Sequence, residues 1–175
     1  MSNEKIEKII KHFDFEILPV EGTLYKSTFC STEKLENGAP VGTAILGMYC
    51  NEPFSVSCFH KLTSPETWHA YAGDPFELIL LYEDGTYERV VMGTDFLNGQ
   101  KIQFTVPANV WQAGCLLDGG GYAIYGCTMA PGFNPNGFEA AVADELIEKY
   151  PDLKEDIIKL SVNEGETKMP EDYSE

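Results

Sequence analysis

The spacing of hydrophobic positions changes twice along the chain. Over residues 2–13, Ile6, Ile9, Ile10 and Phe13 fall at i, i+3, i+4 and i+7 with charged residues opposite, which predicts an amphipathic helix with Ser2 as its N-cap. His12 belongs to this helix as a surface or helix-end residue. From about 23 to 129 the pattern turns to short β-rich runs, at 24–31, 43–50, 55–61, 67–72, 76–82, 86–92, 101–106, 110–117 and 121–129. Turn signals separate them, among them Asn37-Gly38, Gly73-Asp74-Pro75, Asn98-Gly99 and the glycines 119–121. Asp84-Gly85 between Leu80-Leu81-Tyr82 and Thr86-Tyr87 predicts a tight hairpin. After Pro131-Gly132-Phe133 the spacing is helical again. Phe138, Val142 and Leu146 stand at i, i+4 and i+8 of one helix; Pro151 opens a second, with Leu153, Ile157 and Leu160 as its apolar face. Residues 162–175 read as a flexible acidic tail without an evident role.

Short strands at regular spacing predict an all-β fold, a barrel or sandwich of the jelly-roll type, with an N-terminal helix and C-terminal helices. The expected organisation is a single domain over 1–161, its barrel core at about 23–129. A chain of 175 residues can bury a sufficient core without disulfide or metal staples.

Charge removes several classes of partner. The 28 acidic and 12 basic residues give a formal charge of −16, which argues against nucleic acid and against an anionic membrane surface, since both demand a basic patch. No apolar run is long enough to span a membrane, and the start Met1-Ser2-Asn3-Glu4-Lys5 lacks the features of a signal peptide. The expected compartment is the cytoplasm, with Cys30, Cys50, Cys58, Cys115 and Cys127 as reduced thiols.

Candidate chemistry concentrates at 60–73. His60 is followed after five residues by Glu66, which is followed after six by Gly73, and His69 lies three past the glutamate. Strand alternation puts Val56, Cys58 and His60 on one face and Ser55, Ser57 and Phe59 on the other. Both faces are fairly apolar, so the pattern leaves open which one turns inward.

The His60–Glu66–Gly73 spacing resembles the first conserved motif of the cupin superfamily, in which two histidines, a glutamate and a distal glycine surround a metal. The second cupin motif is matched by Pro107-Ala108-Asn109-Val110-Trp111-Gln112, with Asn109 in place of a glycine and Gln112 in place of a histidine. Leu62 stands where the first motif has its second histidine. More of the chain, from about 15 to 150, resembles a cupin family of unknown function among small bacterial and fungal proteins. The resemblance rests on Pro19-Val20-Glu21-Gly22, Ser57-Cys58-Phe59-His60, Glu66-Thr67-Trp68-His69, Val106-Pro107 and Gly126-Cys127-Thr128-Met129-Ala130-Pro131-Gly132-Phe133. Leu18, Thr23 and Lys26 depart from that family's usual histidine, glycine and arginine. The resemblance implies a double-stranded β-helix, the cupin jelly-roll barrel, assembled as a homodimer.

The resemblance leaves two chemistries open. In one, His60, Glu66, His69 and Gln112 hold a divalent transition metal; Leu62 and the poor ligand Gln112 count against it. In the other no cofactor is needed. His60 acts as base with Glu66 orienting it and His69 beside them, as in metal-free epimerase-like cupins. Tyr25, Tyr71 or Tyr125 would then supply the acid, Ser57 and Gln112 would orient the ligand, and Lys26 would meet a phosphate or carboxylate on it. The expected ligand is a small polar or sugar-like molecule, and the expected activity an epimerase or isomerase, with non-catalytic binding as the alternative. Glu21 and Thr28 read only as turn and strand polar residues.

Overall fold

Strand alternation and turn chemistry together produce two antiparallel sheets laid face to face. The computed structural model describes residues 3–163, 165–171 and 173, so the expected cap Ser2 lies outside them. Helix α1 (Asn3–Phe13) is followed by β1 (Glu16–Ile17), β2 (Leu24–Cys30), β3 (Thr43–Cys50), β4 (Ser57–Leu62), β5 (Glu66–Gly73) and β6 (Phe76–Leu81). Then come β7 (Tyr87–Met92), β8 (Gln103–Val106), β9 (Trp111–Leu116), β10 (Tyr122–Met129) and β11 (Phe138–Ala140), and finally helices α2 (Ala143–Ile147) and α3 (Lys154–Lys159). One sheet runs β1-β2-β3-β10-β5-β8, the other β11-β4-β9-β6-β7. This is the expected β-barrel, and among the described residues no helix is long and apolar enough to cross a membrane.

The predicted Asp84-Gly85 hairpin joins β6 to β7, with Gly85 in the left-handed region at φ 88° and the Asp84 carboxylate accepting from Thr86 N. Between the sheets pack Tyr49, Trp68, Phe76, Leu78, Leu80, Met92 and Tyr125. Fully burying a side chain of this size contributes roughly 1.5–3 kcal/mol against exposure. Alternation turns Ile79, Leu81 and Ala113 outward, where Leu146, Leu153, Ile157 and Leu160 of the C-terminal helical region cover them. Ile6 of α1 likewise covers Leu24 and Met48 on the other sheet.

Two expectations at the C-terminal end are corrected. Phe138 does not begin a helix: it starts β11, where Phe138 pairs with Leu62 and Ala140 with His60. Pro135-Asn136-Gly137 forms a tight turn that ends on this strand, and the unpaired edge of β4 supplies backbone partners that outweigh the helical spacing of 138, 142 and 146. The segment after 161, expected to be a tail without a role, packs on the barrel. Val162 bridges Val142, Thr167 O accepts from Ala140 N at 2.9 Å, and Met169 is buried beside Phe138. Its residues 164, 172, 174 and 175 lie outside those described.

Candidate functional site

An irregularity in β4 aims the site. Ser57 pairs with Gly114 of β9 and His60 with Gln112, so three steps along β4 are matched by two along β9. The extra residue is a β-bulge, which resets the alternation. Ser57 and His60, on opposite faces by simple alternation, both turn into the barrel, while Phe59 packs outward under the C-terminal helices.

His60 opens onto a narrow, solvent-connected pocket with a cavity volume of about 20 Å³, at the end of the barrel bounded by Leu18, Ile45, Leu62, Met129 and Phe133. Its polar residues are Glu21, Thr43, His60, Glu66 and Tyr173. His60 is 1% exposed and its ring stacks on Phe138. Nδ1 lies 2.8 Å from the Cys58 carbonyl oxygen, which can only accept, so Nδ1 carries a proton. Nε2 is left to face Glu66 Oε2 at 4.0 Å.

Glu66 opens β5, and its orientation follows from two hydrogen bonds. Trp68 Nε1, a donor only, donates to Gln112 Oε1 at 2.9 Å, which fixes the amide so that Gln112 Nε2 donates to Glu66 Oε2 at 2.8 Å. The glutamate oxygen there is an acceptor. Glu21 reaches the same pocket from the turn between β1 and β2. Glu21 N donates to Pro19 O at 2.7 Å, Cys58 N donates to Glu21 O at 2.9 Å, and Val20 adopts φ 68°. A β-branched residue in that region costs roughly 1–3 kcal/mol, strain that the turn carries while presenting Glu21 inward.

His60 and Glu21 shift each other, and the charge of Glu66 acts on both. Burial works to lower the His60 pKa, but the negative charges of Glu21 and Glu66, with the hydrogen bonds of Glu66 and the Cys58 carbonyl, outweigh it and hold the imidazole up at about 9. It is an imidazolium at neutral pH. Burial raises Glu21, with Glu66 adding and His60 and the Ser57 hydroxyl opposing. The Cys127 thiol, also on the pocket wall, is pushed well up by burial and the neighbouring glutamates, which leaves it a neutral thiol rather than a nucleophile.

The remaining residues singled out in the sequence are scattered. His69 and Tyr71 share β5 with Glu66 but point to the opposite face; His69 Nε2 lies 3.0 Å from Thr128 Oγ1, and Tyr71 is 51% exposed. Lys26 is on the outside, paired with Asp14 at 2.7 Å. Tyr125 is a core residue whose hydroxyl bonds Thr23 at 2.6 Å, and Ser57 accepts from the Tyr49 hydroxyl at 2.6 Å beneath the pocket. Tyr25 stands behind the wall, its hydroxyl accepting from Tyr173 at 3.3 Å. His60, Glu66 and Gln112 thus converge, whereas His69, Tyr71 and Lys26 do not join them. Sequence reasoning missed Glu21, Phe138 and Tyr173. For Glu21 a signal existed, a carboxylate inside the apolar turn Leu18-Pro19-Val20-Glu21-Gly22; for Tyr173 there was none, because its position depends on a long-range return of the chain.

The donor set does not fit a resident transition metal. Both polar atoms of the Gln112 amide are committed, Leu62 places an apolar side chain on the pocket wall, and His69 faces away from it. Among the described residues no three His, Cys, Asp or Glu side chains converge as a metal cluster.

Comparison with known proteins agrees with this architecture. The family model described as Cupin superfamily (DUF985) matches residues 7–141. A hypothetical protein from Leishmania major is 30% identical, with 90% of this chain and 98% of that chain covered and a TM-score of 0.79. A protein from Shewanella oneidensis is 28% identical, with 90% and 98% covered and a TM-score of 0.82. Oxalate decarboxylase from Bacillus subtilis, a protein with Mn(II) centres, shares the fold at 14% identity and a TM-score of 0.50, with 90% of this chain and 40% of that chain covered. No curated protein matches the chain.

Proposed function

The chain belongs to the cupin superfamily, in the DUF985 family, and from that premise we propose that it binds a small polar, sugar-like molecule in its pocket and shifts a proton on it without a resident metal, as an isomerase or epimerase does. One observation carries the reading: His60 Nε2 and Glu66 Oε2 meet in a common pocket 4.0 Å apart, a separation that suits adjacent atoms of one substrate.

The roles differ from the expectation that His60 is the base. An imidazolium held up to about 9 is a proton donor at neutral pH, and Glu66, kept as an acceptor by Gln112, is the base. Glu66 takes the proton from a carbon next to a carbonyl. The electron pair of that C–H bond becomes the C=C bond of an enediol, and the carbonyl oxygen receives the Nε2 proton of His60. Glu66 then returns its proton to the former carbonyl carbon while the hydroxyl on the first carbon gives its proton back to His60 Nε2 and becomes the new carbonyl, which isomerises the substrate; reprotonating the first carbon on its other face, with the first oxygen's proton returned to His60, would epimerise it and needs a donor there. Positioned acid–base groups of this kind contribute typically about 10²–10⁴-fold. A non-catalytic binding role is the second reading, supported by the apolar wall of Leu18, Ile45, Leu62 and Met129 around so few polar groups.

The test is solvent exchange. Aldoses and hydroxy ketones are incubated with the protein in D₂O and the loss of C–H signal beside the carbonyl is followed by proton NMR. Exchange with at least one of them, abolished in Glu66→Gln and in His60→Gln, is the expected result. Ligand-induced shifts without exchange would establish the binding role instead.

A further inference from the structure

Glu21 is a buried carboxylate that the proposed proton transfer does not use. It is 8% exposed, so more than nine-tenths buried, and it lines the pocket. The Ser57 hydroxyl is the sole hydrogen-bonding influence on its carboxylate among the described residues. A buried carboxylate normally has a cationic partner or several donors, because stranding it costs several kcal/mol. Among the described residues the pocket wall includes no lysine or arginine. Its one cation, His60, is shared between two carboxylates. Two backbone hydrogen bonds, Glu21 N to Pro19 O and Cys58 N to Glu21 O, fix the main chain at Glu21 beside the pocket. Phe133 and Tyr173 stand edge to face with centroids 5.9 Å apart at the pocket wall, offering ring surfaces of the kind that attract cations. A formal charge of −16 adds a long-range field that draws cations and repels anions.

We propose that Glu21 is a specificity-determining residue that receives an ammonium group, so that the ligand class is a small amino-substituted polyhydroxy or carbonyl compound rather than a sugar phosphate or a sugar acid. The ligand completes the charge balance that the protein leaves open. Its ammonium lies against Glu21, and its hydroxyl or carbonyl carbons lie between His60 and Glu66. This inference rests on the proposed proton-transfer site and names the substrate class for it.

The experiment compares three pyranoses of nearly the same size. Glucosamine, glucose and glucuronate are titrated into the full chain in buffer at neutral pH, where most of the amine still carries its proton and ionised Glu21 is favoured over its acid form more than in acid, and binding is read from protein NMR shifts. Methylammonium is a fourth, minimal probe. A charge-assisted hydrogen bond to a buried carboxylate predicts at least about tenfold tighter binding of glucosamine than of glucose, with no binding of glucuronate. Glu21→Gln is expected to level glucosamine with glucose, and Glu21→Asp, which keeps the charge, to retain a preference. Equal binding of glucose and glucosamine, binding of glucuronate, a preference that survives in Glu21→Gln, or no response to any ammonium probe would each overturn the inference. The solvent-exchange reading is scored separately. Exchange on neutral sugars without an ammonium preference would sink this inference and leave the proton-transfer site standing, whereas ammonium binding without exchange would do the reverse.

Discussion

The imidazole of His60 lies nearly flat on the ring of Phe138, with centroids 5.4 Å apart and planes inclined by 17°. Together with the Nδ1 contact to the Cys58 carbonyl this leaves the ring one orientation, Nε2 toward the pocket. Phe138 is itself buried, in a cluster with Leu18, Tyr25, Leu62 and Met129. Phe138→Ala is therefore expected to cost about 3–5 kcal/mol, as large-to-small changes in a packed core do. Urea unfolding would measure it. Phe138→Leu should cost distinctly less, and a loss no greater for alanine than for leucine would mean that the ring is not packed as described.

Stability should fall as pH rises from mildly acidic to alkaline. The folded His60 pKa, at about 9, stands above its ordinary value of 6.5. The folded state therefore keeps a proton that the unfolded chain releases. That contribution, on the order of 3 kcal/mol, is fully present below the ordinary imidazole value and is lost as pH rises through the folded value. Glu21 acts with the same sign, because its raised pKa makes ionisation above the ordinary carboxylate range more costly in the folded state. Urea midpoints across this range should decline for the wild type and decline less for His60→Gln. A midpoint that climbs with pH would contradict the arrangement of the three groups.

The barrel was legible in the sequence because its strands are short, rich in β-forming residues and separated by glycine and asparagine turns. Asn109, taken as able to replace a glycine, does stand in the left-handed region at φ 63°. The pairing of His60 with Glu66 came from the resemblance of their spacing to the first cupin motif. What could not be read was anything set by non-local pairing. The bulge between Ser57 and His60 exists only against β9, so no local pattern announces that both face inward. Phe138 satisfies a helical spacing by coincidence and becomes a strand because β4 has a free edge. His69 fell into the candidate site through its nearness to Glu66 in sequence, yet three residues along a strand reverse the face.

The five cysteines should differ sharply in reactivity. Burial raises Cys50 and Cys58 to about 11 and pushes Cys127 well above its ordinary value, while Cys115 is raised as well. Cys30 is the exposed one. Since the thiolate is the reactive form, a neutral thiol reagent should modify Cys30 rapidly, the partly buried Cys58 and Cys115 slowly, and the buried Cys50 and Cys127 only as fast as the protein unfolds. Mass spectrometry after brief labelling would show one adduct, lost in Cys30→Ser; two or more fast adducts would contradict the packing.

Gln112 joins the core to the site, and replacing it should separate stability from metal affinity. In Gln112→Leu the Trp68 N–H loses its acceptor and Glu66 loses its donor, both in buried positions. Each orphaned group costs about 1–3 kcal/mol, more where the group is charged, so a total loss of several kcal/mol is expected in urea unfolding. Gln112→His with Leu62→His asks a different question. The double variant offers two further imidazoles beside His60 and Glu66, the nitrogen and oxygen donors that a divalent transition metal needs. The expected outcome is about one metal per chain in the double variant after incubation with Mn, Fe, Ni or Zn and dialysis, and far less in the wild type. Stoichiometric metal in the wild type, lost in His60→Ala, would show that Gln112 gives up its hydrogen bonds to a metal and would overturn the metal-free reading of the site.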